Sequence, residues 1–360
     1  MGRTRSCKKY YKIRFIMLEK SLFIRALNKE NLETPPIWYM RQAGRYMPEY
    51  REVRKRFNNF MDMCKNPDVC CELAMQPIKE FKLDASILFS DILTIPDAFN
   101  LGVSFVEGKG PVFSNPIKTK QDVDNLPEFD PNDLDYVYKA VKNIRATLPE
   151  DIPLIGFCGS PWTLAAYSIE GSSSKSFSFT KNYIVENEKA ANIFLKKLTN
   201  ACFLYLKKQV IAGANAIQIF DSWANLLSEK EYKKWSLQYI DELIKLLKND
   251  QVTSNIPVIL FAREPKCSSS DLIETSADCI SLFWTMRTPN LDLMKNKVAI
   301  QGNLNPAILL ESNEVIKEET YKILDMYKDY PGYIFNLGHG ITPNISPDKV
   351  KFLTQLVREY

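Results

Sequence analysis

The sequence predicts an α/β protein built as a single-domain (β/α)8 barrel, because eight short apolar runs rich in branched and aromatic residues recur along the chain. The runs are 36–40, 85–89, 154–157, 216–220, 258–261, 279–283, 298–302 and 333–337. Each is almost continuously hydrophobic, as in strands buried on both faces. Helical segments separate the runs, and no change of composition marks a linker. A doubly wound open sheet is the alternative, but no glycine-rich nucleotide motif follows a strand.

The intervening segments predict helices. Residues 184–211 carry one continuous apolar stripe, and Gly213 supplies a stop. Residues 313–328 form a second helical pattern, which ends before Pro331 and Gly332 at the eighth run. Residues 271–276 and 291–296 are shorter crossovers between the later strands.

The basic charge is concentrated in residues 1–20, which we interpret as a disordered extension or a targeting remnant preceding a barrel domain at 21–360. The formal net charge is +4, and six basic residues precede the first acid, Glu19, so the rest of the chain carries about −2. A nucleic-acid partner is therefore not expected. Gly2 fits the bare myristoylation pattern, and the arginine-rich start also suits a plastid or mitochondrial transit peptide. Cytoplasmic and plastid locations both stay open.

The eight cysteines form no C-x-x-C and no paired zinc spacing, which predicts reduced thiols in a reducing compartment and no metal site. No run approaches 18 uninterrupted apolar residues, so no membrane span is expected.

Barrel enzymes place their chemistry at the carboxyl ends of the strands, and polar residues follow each predicted strand. In chain order they are Arg41, Gln42 and Arg45, Ser90 and Asp91, Ser160, Asp221 and Ser222, Arg263 and Glu264, Thr285, Asn303 and Asn305, and His339. Arginines and carboxylates among them favour a ligand site over ordinary loop residues.

The segment PPIWYMRQAGRYMPEYREVR carries four arginines, Arg41, Arg45, Arg51 and Arg54. Their rigid donor forks suit carboxylates or phosphates, and several forks at one strand end suit a small polyanion. Ala43 and Gly44 would let the backbone approach such a ligand closely. The alternative is that the arginines pair with Glu49 and Glu52 on a solvated helix.

Asp91 emerges from a buried strand, so it must be paired or functional. A structural role would require an arginine beside it. Tyr167 and Ser222 are candidate ligand contacts, although residues of these types more often pack or cap helices. Asp221 suggests an ion pair inside the barrel, and Glu170 suggests a charge at a helix end.

Six segments occur in an order that resembles the uroporphyrinogen decarboxylase family: RQAGRYMPEYR, FSDILTIPDAFNLGVSF, GSPWTLAAYSIEG, FDSWA, GNLNP and NLGHGI. The resemblance runs from about residue 22 to the C-terminus. It implies a homodimeric barrel with facing clefts that needs neither metal nor organic cofactor. It also implies removal of carbon dioxide from the four acetates of uroporphyrinogen III, giving coproporphyrinogen III in haem and chlorophyll synthesis.

The resemblance also implies site residues. The substrate-contacting positions would be Arg41, Gln42, Ala43, Gly44, Arg45, Arg54, Asp91, Tyr167, Ser222 and His339, with Asp91, Arg41 and Tyr167 catalytic. Asp91 would stabilise a cationic pyrrole, and the arginines would orient carboxylates. Whether Arg41 also supplies a proton stays open, since arginine is a very weak acid. His339, the only histidine, first suggests acid–base work, but the chemistry favours a hydrogen bond to a substrate carboxylate.

Four places depart from the family pattern. Residues 170–175 read EGSSSK where the family often has EGGGSK, Phe283 and Asn305 stand where aspartates are usual, and 261–268 lacks the expected glycine. They leave a catalytically impaired tetrapyrrole-binding homologue as one alternative. A zinc-dependent corrinoid methyltransferase of the same superfamily is the other, disfavoured because His339 has no His-x-Cys partner.

Overall fold

Seven of the eight predicted strands are present, the first predicted run pairs through a single bridge, and all eight lie in sequence order around one parallel barrel. The computed structural model describes residues 20–106, 108–286 and 290–360. Seven strands form a continuous parallel sheet. We label them β2 (Ser86–Ile87), β3 (Leu154–Gly159), β4 (Ala216–Asp221), β5 (Val258–Ala262), β6 (Cys279–Ser281), β7 (Ala299–Gln301) and β8 (Tyr333–Ile334).

Residues 36–38, labelled β1, close the sheet into a barrel. Ile37 forms a parallel bridge with Phe335, just beyond β8. On the other side the Ile37 carbonyl accepts the Asp84 amide at 2.8 Å, just before β2. The open-sheet alternative is therefore wrong, because β1 pairs with both edges.

Helices surround the barrel. They span Leu22–Leu27, Pro48–Arg54, Phe60–Cys64, Pro67–Phe81, Thr94–Ala98, Lys120–Asp124, Asp135–Thr147, Pro161–Glu170, Ser178–Glu186, Glu188–Ala212, Glu229–Tyr232, Gln238–Asn249, Ser269–Ile273, Leu291–Met294, Asn313–Tyr327 and Pro347–Glu359. Short 3-10 turns occupy Pro131–Leu134, Ala224–Leu226 and Pro306–Leu310, and one π turn occupies Lys233–Leu237. None of the described helices is long and apolar enough to cross a bilayer.

The predicted helix at 184–211 is two helices, which is a correction. Ser178–Glu186 ends at Asn187, whose φ of −120° leaves the helical range, and Glu188–Ala212 follows at once. Gly213 ends the second helix as predicted. The predicted crossovers at 271–276 and 291–296 are shorter, at Ser269–Ile273 and Leu291–Met294, because Ser276 and Asn296 take left-handed conformations.

The barrel interior is filled by side chains. The Trp38 indole donates to Gln301 Oε1 at 2.7 Å, and the Gln301 amide donates to Ser281 Oγ at 2.9 Å and to Gln218 Oε1 at 3.2 Å. The helix Leu22–Leu27 closes the amino end, where Phe23 packs edge-on against Trp38. The carboxyl ends of the strands, which face the other way, therefore present the mouth of the barrel.

An antiparallel hairpin that the sequence interpretation missed lies beside this mouth. Its strands are Val103–Val106 and Gly110–Phe113. Val112 bridges to Ser172, and the Phe113 amide donates to the Gly171 carbonyl at 2.9 Å. The serine-rich loop at 170–175 is thus held to the hairpin. Residues 1–19, on which most of the predicted basic extension falls, lie outside the described residues.

Candidate active site

Arg41 lies in the turn after β1, and its side chain passes against Gly340, which follows β8. Its φ of 59° places it in the left-handed region. A Cβ added to Gly340 would overlap Cγ and Cδ of Arg41, so this glycine makes room for the arginine stem. Arg41 as a whole is exposed, but partial desolvation of its guanidinium lowers its pKa, and the charges of Arg45 and Arg263 lower it further, while Tyr167 and Asp91 oppose the shift. The guanidinium thus lies among these four groups.

The other arginines of this segment do not pair with carboxylates. Among the described residues, none of the ion pairs includes Arg41, Arg45, Arg51 or Arg54. Glu52 pairs with Lys55 instead, at 2.7 Å. The alternative of a solvated, ion-paired helix is therefore wrong for these arginines, and their charge remains available to an anion.

The predicted contacts at 42–45 and 54 have different environments. Arg45 is exposed, whereas Ala43 and Gly44 are partly buried on the turn. Gln42 is 1% exposed, and neither polar atom of its amide has a hydrogen-bond partner in the described part of the chain. Arg54 donates to the Phe57 carbonyl at 2.6 Å, so it lies at the edge of the cluster of predicted contact residues.

Asp91 follows β2 and accepts a hydrogen bond from the Leu93 amide on Oδ1 at 2.8 Å. Burial raises its pKa from 3.8 to about 6, against the Leu93 hydrogen bond and the Arg41 charge, which lower it. Among the described residues, no basic side chain forms an ion pair with this carboxylate within 4.0 Å. The alternative that Asp91 is a structural residue held by an arginine is therefore not supported. The carboxylate is mostly ionised at neutral pH and Oδ2 is available as an acceptor.

Tyr167 belongs to an aromatic wall on one side of the mouth. Its helix, Pro161–Glu170, begins at the cap Ser160, whose Oγ accepts the Thr163 amide at 3.0 Å. The Tyr167 ring lies 5.6 Å from Trp223 and 5.9 Å from Phe177, both edge to face. Burial raises the pKa of Tyr167, so its hydroxyl remains protonated and can donate to a ligand. Glu170 ends the helix, as the sequence predicts.

Asp221 is a structural acceptor, and the predicted ion pair is wrong. Its Oδ1 accepts from Ser160 Oγ at 2.7 Å and Thr163 Oγ1 at 2.9 Å, and its Oδ2 accepts from Ser236 Oγ at 2.7 Å. The side chain is 0% exposed. These bonds fix the start of the Tyr167 helix and the position of Ser222, which is partly buried next in the chain.

His339 lies in a ring of aromatic side chains after β8. Its imidazole is 6.0 Å from Phe261, 6.3 Å from Phe283 and 6.0 Å from Trp284. Burial lowers the pKa of His339 from 6.5 to about 4, and the charges of Arg41 and Arg263 add to the effect. The imidazole is therefore neutral at pH 7 and carries one N–H donor.

The structure thus brings Arg41, Asp91, Tyr167 and His339 to one mouth, with Arg45 and Ser222 beside them. A comparison with known protein families identifies the family of the chain that carries this site. The model of the family described as Uroporphyrinogen decarboxylase (URO-D) matches residues 18–360. The chain belongs to the uroporphyrinogen decarboxylase family.

Individual relatives agree over nearly full length. The uroporphyrinogen decarboxylase of Alcanivorax borkumensis is 45% identical over 347 residues, which are 96% of this chain and 98% of that protein. That of Legionella pneumophila (strain Paris) is 45% identical over 345 residues, 95% of this chain and 97% of the relative. Among solved structures, a methyltransferase from Methanosarcina mazei has a TM-score of 0.72 at 19% identity and covers 94% of this chain and 98% of its own. This last likeness concerns the fold alone.

Two of the departures from the family pattern have structural explanations. Asn305 Oδ1 accepts the Ala307 amide at 3.0 Å and caps the turn Pro306–Leu310, a task that aspartate and asparagine perform equally well. Within the segment 261–268, where a glycine-containing turn is expected, Glu264 has a φ of 49°, in the left-handed region that glycine adopts most readily.

Phe283 changes the chemistry of the mouth. It is 2% exposed, packs on Trp284 with ring centroids 3.7 Å apart, and meets His339 at 90°. A carboxylate at this position would favour a charged imidazole, whereas phenylalanine disfavours it. The described residues include no group of three or more histidine, cysteine or acidic side chains arranged to hold a metal.

His339 offers a direct test, because the chain has one histidine and therefore one imidazole signal in an NMR titration of untagged protein. We expect a midpoint below pH 5, since burial and two nearby arginines oppose protonation. His339→Asn should raise KM about two- to tenfold, the effect of one neutral hydrogen bond, with kcat largely kept. Complete loss of turnover with intact binding would instead make His339 the acid–base residue.

Proposed function

We propose that this protein removes carbon dioxide from the four acetate side chains of uroporphyrinogen III and releases coproporphyrinogen III, as a carboxy-lyase of haem biosynthesis. The observation that carries the proposal is the ionised carboxylate of Asp91 in a mouth shared with Arg41 and Arg45, neither of which forms an ion pair with any of the described residues. A substrate with eight carboxylates and four central pyrrole N–H groups needs cations at the rim and one acceptor at the centre. The family membership supports the same substrate.

The reaction requires an electron sink. Protonation of a pyrrole carbon makes that ring a cation. The C–C bond to the carboxylate then breaks, and its electron pair enters the ring as carbon dioxide leaves. A proton delivered to the exocyclic carbon completes the methyl group, and loss of the proton first added to the ring carbon restores the pyrrole, so each acetate consumes one proton in total. Asp91 accepts from the pyrrole N–H groups and stabilises the cationic ring in a cleft where water screens the charge little.

The remaining side chains bind and orient. Arg41 and Arg45 hold acetate carboxylates against the reacting ring, and Tyr167 donates its phenolic hydrogen to another carboxylate. Ser222 and the neutral His339 add single hydrogen bonds. Arg41 acts here as a charge that positions the acetate, because a guanidinium gives up its proton only at very high pH.

Anaerobic incubation of purified protein with uroporphyrinogen III, followed by chromatography of the oxidised porphyrins, tests the proposal. We expect hepta-, hexa- and pentacarboxylate intermediates and then the tetracarboxylate product. Chelation of metals should leave the rate unchanged. Binding of the octacarboxylate without any product would identify a catalytically impaired homologue. A rate that requires added zinc would favour the methyltransferase-like alternative.

A homodimer with facing clefts stays a prediction, which sedimentation at several protein concentrations would test. A cytoplasmic or plastid location also stays a prediction, tested by imaging the full chain with a C-terminal fluorescent tag and comparing it with a chain that starts at residue 21.

A further inference from the structure

Arg263 is the first residue after β5, and it extends the strand pairing into the mouth. Its amide donates to the Asp221 carbonyl at 3.0 Å, the last residue of β4. The sequence places a polar residue here, yet neither the motif segments nor the family resemblance assigns it a task. Its backbone is therefore fixed at the same level as Asp221 and Ser222.

The Arg263 side chain is held against the aromatic wall. Its guanidinium carbon lies 5.6 Å from the centroid of the Trp223 ring, and Trp223 in turn packs on Tyr167. Nε of Arg263 is buried and has no hydrogen-bond partner within the described residues. A cation–π contact with an indole restrains the planar fork without using its donors. The N–H groups thus remain available to a ligand.

The groups that face Arg263 are a second cation, Arg41, and the neutral imidazole of His339, so neither can form a structural ion pair with it. Its charge lowers the pKa values of His339 and Arg41, which means that all three groups face one region. No carboxylate forms an ion pair with Arg263 in the part of the chain that is described, and its neighbour Glu264 is exposed. The guanidinium groups of Arg41 and Arg263 repel each other beside the neutral imidazole of His339, and a bound anion would offset this repulsion.

We propose that Arg263 binds a carboxylate side chain of the tetrapyrrole, opposite the carboxylate held by Arg41 and Arg45. The proposal rests on the function proposed above and adds a residue that follows the fifth strand to a site otherwise built from segments that follow the first, second, third, fourth and eighth. A bidentate guanidinium–carboxylate contact on the aromatic wall fixes the rotation of the macrocycle in the mouth. Arg263 therefore contributes to substrate binding and to the choice of which acetate meets Asp91.

The test compares Arg263→Gln, which keeps the stem on Trp223 but loses the charge, with Arg263→Lys, which keeps the charge but loses the fork. Arg56→Gln is the matched control, because Arg56 pairs with Glu72 on the outer surface at 2.9 Å. Steady-state kinetics with uroporphyrinogen should show KM raised about 10- to 100-fold in Arg263→Gln, with kcat within about threefold. Arg263→Lys should recover part of this loss and Arg56→Gln should match wild type. A KM within twofold of wild type in Arg263→Gln overturns the proposal.

Two further measurements separate this inference from the proposed reaction. The NMR titration midpoint of His339 should rise in Arg263→Gln, which shows that the variant is folded and that the lost charge faced the mouth; an unchanged midpoint contradicts the placement. Binding of oxidised uroporphyrin, followed by quenching of tryptophan fluorescence, should weaken in the same variant. If wild type binds the porphyrin through Arg263 but releases no product, the proposed reaction is wrong and the binding role of Arg263 is supported.

Discussion

Asp91→Asn is expected to lower kcat about 100- to 1000-fold while changing substrate KM less than about threefold. The amide keeps the shape of the side chain and can still accept from the Leu93 amide, as Oδ1 does now at 2.8 Å. It loses the negative charge that stabilises the cationic ring, and one such preorganised group contributes about 3 to 4 kcal/mol to a transition state. Anaerobic steady-state kinetics would measure both parameters.

The pH dependence of the same variant gives a second check. The pKa of Asp91 in the folded protein is about 6 because of burial, so wild-type kcat/KM should fall as the pH drops below about 6 and Asp91 is protonated. Asp91→Asn should lack this acidic limb. Asp97→Asn, on the following helix and in an ion pair with Lys65 at 2.8 Å, serves as the control and should behave as wild type.

Asp91→Asn should also make the free enzyme more stable. The folded pKa is raised from 3.8 to about 6, so the folded carboxyl holds its proton more tightly than the unfolded one. The charged form therefore opposes folding, by a penalty that develops between about pH 4 and 6 and reaches roughly 2 to 3 kcal/mol at neutral pH. A higher melting temperature together with lost turnover is expected. Near-normal turnover, or a less stable protein, would contradict the role given to Asp91.

The barrel strands could be predicted because a strand buried on both faces leaves an apolar run in the sequence. All eight runs became strands or, for 36–38, a bridging segment. Periodicity alone could not decide between the closed barrel and the open sheet, since closure depends on Ile37 meeting Phe335 across almost the whole chain. The break at Asn187 could not be predicted either, because the apolar stripe of the sequence continues across both helices.

The candidate site was partly predictable for a related reason. Arg41, Asp91 and His339 follow strands directly, so the strand-end rule places them at the mouth. Trp223 and Phe177 form the aromatic wall, yet they carry no signal beyond that of ordinary packing residues. The hairpin that holds the serine-rich loop became visible only in the structure, because its pairing to Ser172 is a long-range contact.

Asp221 was misinterpreted because its partners look like unrelated residues in the sequence. Ser160 and Thr163 occur at a helix start, where such residues are common as caps, and Ser236 lies in a π turn 15 residues further on. Only the fold brings three hydroxyl donors to one carboxylate. Because two donors lie at the start of the Tyr167 helix and the third lies in the π turn after Ser222, the cluster connects β4 to that helix and to the segment after Ser222.

Asp221→Ala is therefore expected to lower the free energy of unfolding by about 3 to 5 kcal/mol, since it leaves three buried hydroxyls without their acceptor and opens a cavity. Asp221→Asn should cost less, because its Oδ1 can still accept from Ser160 and Thr163. Chemical denaturation monitored by tryptophan fluorescence would measure both, with Glu318→Ala as the control. Glu318 is exposed and shares Lys322 with Glu319, so its loss should leave stability unchanged.

Kinetics of the same variants would separate positioning from chemistry. Asp221 touches hydroxyl groups of the protein and lies beneath the mouth, so its loss should act through Tyr167 and Ser222, which the cluster positions. We expect Asp221→Asn to raise KM more than it lowers kcat. The fall of kcat/KM below about pH 6, which we assign to Asp91, should be unchanged in this variant. A large fall in kcat at unchanged KM and stability would instead place the Asp221 carboxylate among the reacting groups. A fully stable Asp221→Ala protein would show that the three hydroxyls find other acceptors.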